Sequence, residues 1–591
     1  MAAAMSYDPA YTVDIVSSAA LGVCAGRVGW PSAGHASNSI ATTSRSILIT
    51  TGEPVAQGAS REVDDCDVLG VGARDVASQL RRRRIDGLRE VKGIFAGFWL
   101  DHRRSECVLF NDRYGIERIF VYTDKSRLYF ASEAKAILAV ASSTRSVDPA
   151  GIAEWLTCGS TIGGRSLFRN IEVLSGGSAL TLAPGRDPVR TRYFTRTMLE
   201  QLPQLPERQF LEQFDASLRT AVGDALTREP RAAISLTGGL DSRLVIGASD
   251  ARPRSIPCYT FGSMFRTTGD VAVARAVAAA CEQPYTELTL DRPFLAGIVE
   301  HARQAVYISD GCLGLPGSAE LYLNRRARAI APARITGNWG GELMRGVRAF
   351  KFKLPKGDFV RPSLRALMAD ARQSFSATAA WHPLSYTLFQ QAPHQGYGRY
   401  AIERSQVVMR SPFLDNDVVT SLYQAPVAMR TSLEPVLQVL SRRPELVALP
   451  TDIGCLGRGP RVTQRARQAY RRAVVKAEYL TSHGAPDWMA ALTTRIPVLE
   501  TAFLGRDKFQ HFRLWTRNEL APFVRETLRR NRESLDPWFD MSRVAQMVEQ
   551  HVAGAANYTA QIDQVVTVGL LHETLLDQKA AREILVAPGV A

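Results

Sequence analysis

Short apolar runs broken by turn-forming positions dominate the first part of the chain. Ser46-Ile47-Leu48-Ile49-Thr50 predicts a strand ended by Gly52. Phe95 to Leu100 and Cys107 to Phe110 predict two strands around a turn at Asp101-His102-Arg103-Arg104. Ile119 to Tyr122 and Leu128 to Ala131 predict a second hairpin, turning at Asp124-Lys125-Ser126. Helices are expected at roughly 73–90 and 133–142, and strands spaced this closely predict a sandwich-like layer. The stretch 184–206 holds Pro184, Gly185, Pro188, Pro203 and Pro206 and reads as a domain boundary. From 207 the pattern changes. A helix (207–227) precedes the strand Ala232-Ala233-Ile234-Ser235-Leu236, a glycine turn and a helix from Asp241. A strand from Ser255 to Phe261, helices at 269–282 and 317–330, and the strand Ala333 to Thr336 follow, ending in a second glycine turn. This alternation predicts a parallel sheet flanked by helices. Beyond about 365 the text is mostly helical, with a Gly- and Arg-rich loop at 453–467.

Composition bounds this picture. A chain of 591 residues with 46% hydrophobic content can bury a large core in two to four domains. No apolar run is long enough for a transmembrane helix. The opening lacks a basic segment followed by an apolar one, so no secretory signal is expected. Eight cysteines without C-x-x-C pairs or zinc spacing predict reduced thiols in a cytoplasmic protein and no structural metal. The net charge of +14 comes mostly from arginine. An anionic partner would explain it, but a compositional exchange of Lys for Arg is the preferred reading. Arg81-Arg82-Arg83-Arg84 reads as a solvated helix face, without the interleaved aromatics of a stacking platform. Neither a membrane nor nucleic acid is an expected partner.

The sharpest local signal is strand, then Thr237-Gly238-Gly239-Leu240-Asp241-Ser242, then helix. Paired glycines let the backbone approach an anion closely. The helix behind them presents free N–H groups and the positive end of its dipole. Thr237 and Ser242 add hydroxyls. Asp241 would repel a phosphate unless Mg²⁺ bridges the two. The plainer alternative is a strand-to-helix turn capped by Ser or Asp. No Gly-Lys-Ser/Thr follows, so this is not a Walker loop.

Other segments join it. They are Gly93-Ile94-Phe95-Ala96-Gly97-Phe98-Trp99-Leu100-Asp101, Asn111-Asp112-Arg113-Tyr114-Gly115-Ile116, Phe130-Ala131-Ser132-Glu133-Ala134-Lys135-Ala136 and Arg410-Ser411-Pro412-Phe413-Leu414-Asp415. In this order the five motifs resemble the asparagine synthetase superfamily, which includes β-lactam synthetases and lasso-peptide cyclases. Such enzymes adenylate a carboxylate, release pyrophosphate and let an amine attack the acyl-adenylate. The resemblance implies a two-domain α/β fold. An N-terminal amidotransferase-like α-β-β-α sandwich (1–185) would precede a Rossmann-like ATP-pyrophosphatase domain (207–465) and a helical extension (466–591). It implies ATP and Mg²⁺ as cofactors. Leu236, Phe261, Gly262 and Ser263 would lie near adenine and ribose. Thr237, Gly238, Gly239, Asp241 and Ser242 would hold pyrophosphate with magnesium, and Thr336 and Gly337 would sit by the α-phosphate and the activated carboxyl.

Four departures qualify the resemblance. Glutamine-hydrolysing relatives carry Cys at position 2, where this chain has Ala2, and Cys24 resembles an internal strand residue. Thr51-Gly52-Glu53 replaces the family's Asn-Gly-Glu, so the oxyanion Asn is absent as well. In Thr336-Gly337-Asn338-Trp339-Gly340-Gly341-Glu342, a family magnesium-binding acid becomes Gly341, leaving Asp310 as a possible substitute ligand beside Asp241. A family Glu becomes Val408. The family's late Lys has no counterpart between Lys356 and Lys476, and Arg458 or Arg461 would supply charge without shuttling protons. The expected catalytic residues are therefore Asn338, Glu342 and Arg458. The leading expectation is an ATP-dependent ligase that does not use glutamine itself. It would join a small-molecule or peptide carboxylate to an amine or ammonia, alone, as a homodimer or with a pathway partner. The alternative is a catalytically degenerate homologue that binds nucleotide or a partner protein. Adenylation of nucleic acid is supported only by the net charge.

Overall fold

The computed structural model describes residues 1–30, 38–43, 45–56, 67–69, 71–451 and 504–577, with single residues at 454, 455, 469, 478 and 496. The chain opens with the hairpin β1 (Thr12–Ser18) and β2 (Val23–Gly29). Then come β3 (Asn38–Thr42), β4 (Ser46–Gly52), β5 (Val55–Ala56), β6 (Asp67–Leu69), β7 (Val91–Lys92), β8 (Phe95–Asp101) and β9 (Glu106–Asn111). They are followed by β10 (Phe120–Thr123), β11 (Leu128–Ala131), β12 (Glu172–Val173), β13 (Ser178–Leu182) and β14 (Val189–Arg192). An antiparallel sheet runs in the order β14-β13-β9-β8-β4-β3-β6, and a smaller one in the order β11-β10-β12. Both expected hairpins are present, closing at Asp101↔Glu106 and Thr123↔Leu128.

The alternation of side chains along these strands builds the layers. Phe98, Leu100 and Leu109 meet Ala25, Ile119, Val121 and Leu174 between the sheets. Trp99, Val108 and Phe110 face the other way, onto Val76, Ala77 and Leu80 of the helix Val71–Arg83. Beyond the smaller sheet, Phe120 and Tyr122 pack with the helices Ala134–Val140 and Pro149–Cys158. The result is the expected helix–sheet–sheet–helix sandwich. β14 pairs with β13, so this domain's sheet runs past residue 185.

The second domain is built on β15 (Ala232–Ser235), β16 (Cys258–Gly262), β17 (Tyr285–Thr289), β18 (Ala333–Thr336) and β19 (Val408–Arg410). All pairs are parallel, in the order β17-β16-β15-β18-β19. Every residue of β15 and β18 is buried, as a sheet covered on both faces requires. The chain moves outward from β15 to β17 and then returns to the other side of β15 as β18. That reversal opens a crevice at the carboxyl ends of β15 and β18, where ligands bind in sheets of this kind.

The helices described between 512 and 571 close the fold. Phe512, Trp515, Phe523 and Val565 share one core with Phe120, Ile152, Phe294 and Ile298, so this segment packs against both domains.

Candidate active site

The Thr237–Ser242 loop joins the buried β15 to the helix Leu240–Ala248 at that crevice. Ser242 Oγ accepts the Thr237 N–H at 3.0 Å and lies 3.1 Å from Thr237 Oγ1, which in turn accepts the Gly239 N–H at 3.2 Å. The two hydroxyls thus tie the loop to its own helix start. Leu236 is buried beneath it, its carbonyl accepting the Thr260 hydroxyl at 2.8 Å. The second glycine turn, Gly337 to Gly340, lies directly against the first. A Cβ at Gly337 would stand 2.4 Å from Ser242 N, and one at Gly340 would stand 2.8 Å from Asp241 Cβ. Thr336 Oγ1 accepts the Asn338 N–H at 3.2 Å, and the Asn338 carbonyl accepts the Ser411 hydroxyl at 2.6 Å. Trp339 takes a left-handed conformation (φ 72°) and packs its ring on Gly396. Glu342 is half-buried in the short helix Gly340–Arg345. Burial pushes its carboxyl up, and the Arg345 and Arg399 charges oppose that.

Two side chains not foreseen in the sequence complete the site. Asp270, in the first turn of the helix Gly269–Ala280, accepts the Gly238 N–H at 3.0 Å. Arg345 Nη2 lies 3.2 and 3.0 Å from the two carboxylate oxygens of Asp241. Neither carries a local motif. An Asp after Thr268-Gly269 reads as an ordinary helix start, and Arg345 reads as a helix-terminal cation.

The remaining expected residues are distributed as follows. Phe261 and Ser263 lie at and just beyond the end of β16, beside Gly262, and the late segment 505–511 covers them. Ser263 Oγ lies 3.0 Å from His511 Nε2, Phe261 packs edge-on against Phe509, and a Cβ on Gly505 would stand 2.7 Å from Ser263 Oγ. Arg458 lies outside the described residues. Asp310, expected as a second metal ligand, is not part of the loop's hydrogen-bonding network. Its carboxylate accepts the N–H groups of Ala134 (2.8 Å) and Lys135 (3.1 Å), pairs with Lys135 Nζ at 3.1 Å and accepts the Tyr397 hydroxyl at 3.3 Å. Those oxygens cap a helix of the first domain and pair with its Lys135.

The other motifs hold the domains together. Asp112 accepts four backbone N–H groups, from Tyr114 to Glu117, and shapes the turn at Gly115 (φ 75°). Glu133 pairs with Lys135 at 2.6 Å and accepts the Tyr7 hydroxyl at 3.1 Å. Arg410 grips Glu53 through Nε at 2.6 Å and through Nη2, while its Nη1 donates to the Ala225 carbonyl at 2.7 Å.

Magnesium is the metal that such a loop implies, and the side chains here do not form a protein-held site for it. Asp241 faces a guanidinium, Asp270 accepts a backbone N–H, Gly341 offers no oxygen, and Asp310 caps a helix. Among the described residues no three His, Cys, Asp or Glu side chains come together.

A helix–sheet–sheet–helix sandwich, joined to a parallel sheet with a glycine loop at its reversal point, defines a two-domain α/β architecture. Residues 79–194 match the family model of a glutamine amidotransferase domain, and residues 213–442 match that of asparagine synthase. Asparagine synthetase (glutamine-hydrolyzing) 3 of Bacillus subtilis is 25% identical over 257 residues, covering 40% of this chain and 39% of that protein. Asparagine synthetase (glutamine-hydrolyzing) 1 of the same organism is 20% identical over 285 residues, covering 48% of this chain and 44% of that protein. The chain thus spans about two fifths of the length of these relatives. The two matches, in this order along the chain, support a relationship to the asparagine synthetase superfamily, with an amidotransferase-like region first. No helix among the described residues is long and apolar enough to cross a membrane.

Proposed function

We propose that this chain is an ATP-dependent ligase that adenylates a carboxylate, releases pyrophosphate and forms an amide without hydrolysing glutamine itself. One observation carries the reading: two glycine turns meet at the reversal point of the parallel sheet, with Gly337 against the Ser242 N–H. Thr237, Gly238, Gly239 and Ser242 would bind the phosphates there. Magnesium would arrive on the nucleotide. Asn338, beside the Ser411 hydroxyl, stands where a carboxylate and an amine would be held close together, the arrangement that favours attack.

Independence from glutamine is supported by the thiols. Burial pushes Cys107, Cys158 and Cys312 up to about 11 and Cys258 up to about 12, so these sulfurs are poor nucleophiles near neutral pH. Cys24 lies inside β2, paired with Ser17. Glu53 is engaged by Arg410. The amine would then be free ammonia or part of a small-molecule or peptide substrate.

The coverage of Phe261 and Ser263 by the chain's own segment favours a second reading, a homologue that binds nucleotide or a partner without chemistry. ATP–pyrophosphate exchange with pools of carboxylates separates the two. Carboxylate-dependent exchange that disappears in Asp241→Ala is the expected result. ATP binding without exchange for any carboxylate would establish the second reading instead.

A further inference from the structure

We infer that Arg345 supplies, as a fixed guanidinium, the positive charge that a protein-held metal would otherwise supply at the phosphate loop. This rests on the nucleotide reading above and goes beyond it by naming the group that makes Asp241 compatible with a phosphate.

Three observations converge. First, Asp241 sits in the first turn of the helix behind the glycine loop, where an unneutralised carboxylate would repel phosphate oxygens. Both of its oxygens lie within 3.2 Å of Arg345 Nη2. Second, Gly341 makes room for this pair. A Cβ there would stand 2.8 Å from Arg345 Nη2 and 3.1 Å from Asp241 Oδ2, so a larger residue would push the guanidinium out of its present place. Third, the pair leaves a donor unused. Among the described residues, the buried Arg345 Nε has no hydrogen-bond partner. A buried N–H without a partner is costly, and an incoming anion oxygen would satisfy it.

Arg345 sets its positive charge directly against Asp241, and with the Thr237, Gly238 and Gly239 N–H groups already held by Ser242, Asp270 and Thr237, its guanidinium is the donor that the pair adds for an anion. A guanidinium cannot be stripped by a chelator and holds its charge at any working pH. It also presents several donors in one plane, which suits phosphate oxygens. The loop should therefore bind the triphosphate of ATP with little dependence on magnesium.

The experiment is calorimetric titration of the full chain with ATP, once in excess EDTA and once with Mg²⁺, alongside thermal melts. The wild-type chain is expected to bind ATP in EDTA within about threefold of its affinity with Mg²⁺. Arg345→Ala should weaken binding in EDTA by about tenfold or more, with a smaller loss in Mg²⁺, and Arg345→Lys should fall between. Gly341→Ala, which displaces the guanidinium without removing it, should shift the ratio in the same direction. A native melt for Arg345→Lys or Gly341→Ala with an unchanged EDTA-to-Mg²⁺ ratio would overturn the inference. So would a wild-type chain that needs Mg²⁺ for binding, while nucleotide binding itself would stand. Absence of ATP binding under both conditions would remove the nucleotide reading and this inference together.

Discussion

Lys135 is 3% exposed, and its ammonium lies between Glu133 at 2.6 Å and Asp310 at 3.1 Å. Removing it strands two carboxylates in the interior, and breaking a buried pair in this way costs about 3–5 kcal/mol. Lys135→Met should lower the urea midpoint accordingly, and Asp310→Asn should recover part of that loss in the double variant. The same cluster shows what single residues reveal from sequence and what they do not. The loop residues were legible because Thr237 and Ser242 lie five residues apart in one local motif and bond to each other. The pairing of Asp310 with Lys135 was not legible, because Lys135 lies far away in the chain and nothing near Asp310 signals it. Asp270 and Arg345 were missed for the same reason. Each meets its loop partner only once the parallel sheet has formed.

At the scale of elements, short apolar runs closed by turn residues made the β8–β9 and β10–β11 hairpins readable to within a residue or two. β14, Val-Arg-Thr-Arg, has one apolar side chain and exposed or half-exposed positions throughout, so its sequence resembled the linker around it. β1 is similarly half-exposed and carried no clear pattern. The meeting of the two glycine turns could be inferred only through family resemblance, since contact across β15 and β18 is a property of sheet order. It yields a sharp expectation. Gly337→Ala places a methyl group 2.4 Å from a backbone nitrogen, which cannot be relieved by a rotamer change. Exchange activity should fall by about tenfold or more, while the melting temperature drops by only about 1–3 kcal/mol of equivalent stability. Retention of full exchange would mean that the turns need not touch for the chemistry.

Over the whole molecule, burial sets the response to acid. It holds His394 down to about 3, and His301 and His551 down to about 4. All three are neutral in the fold, whereas an unfolded histidine takes a proton near pH 6.5. At these three sites the unfolded chain therefore binds more protons between about pH 6.5 and 4, and their share of the stability is lost as pH falls, while buried Asp112 (pushed up to about 7) and Asp563 (pushed up to about 6) act in the opposite sense. Relative to the wild type, His394→Gln should gain urea stability as pH falls through that window, by up to about 1.4 kcal/mol per pH unit.

Both large cores draw on both domains. One joins Trp99 and Phe110 to Ile234 and Phe413, and the other joins Phe120 and Ile152 to Phe294 and Trp515. The sandwich is thus a wall of the parallel-sheet domain. Cutting it away would bare the apolar flank of the parallel sheet and leave Arg410 and Arg404 without Glu53 and Glu117. Such a layer belongs to its neighbour's fold whatever chemistry it carries, and taking it out would unfold more than itself.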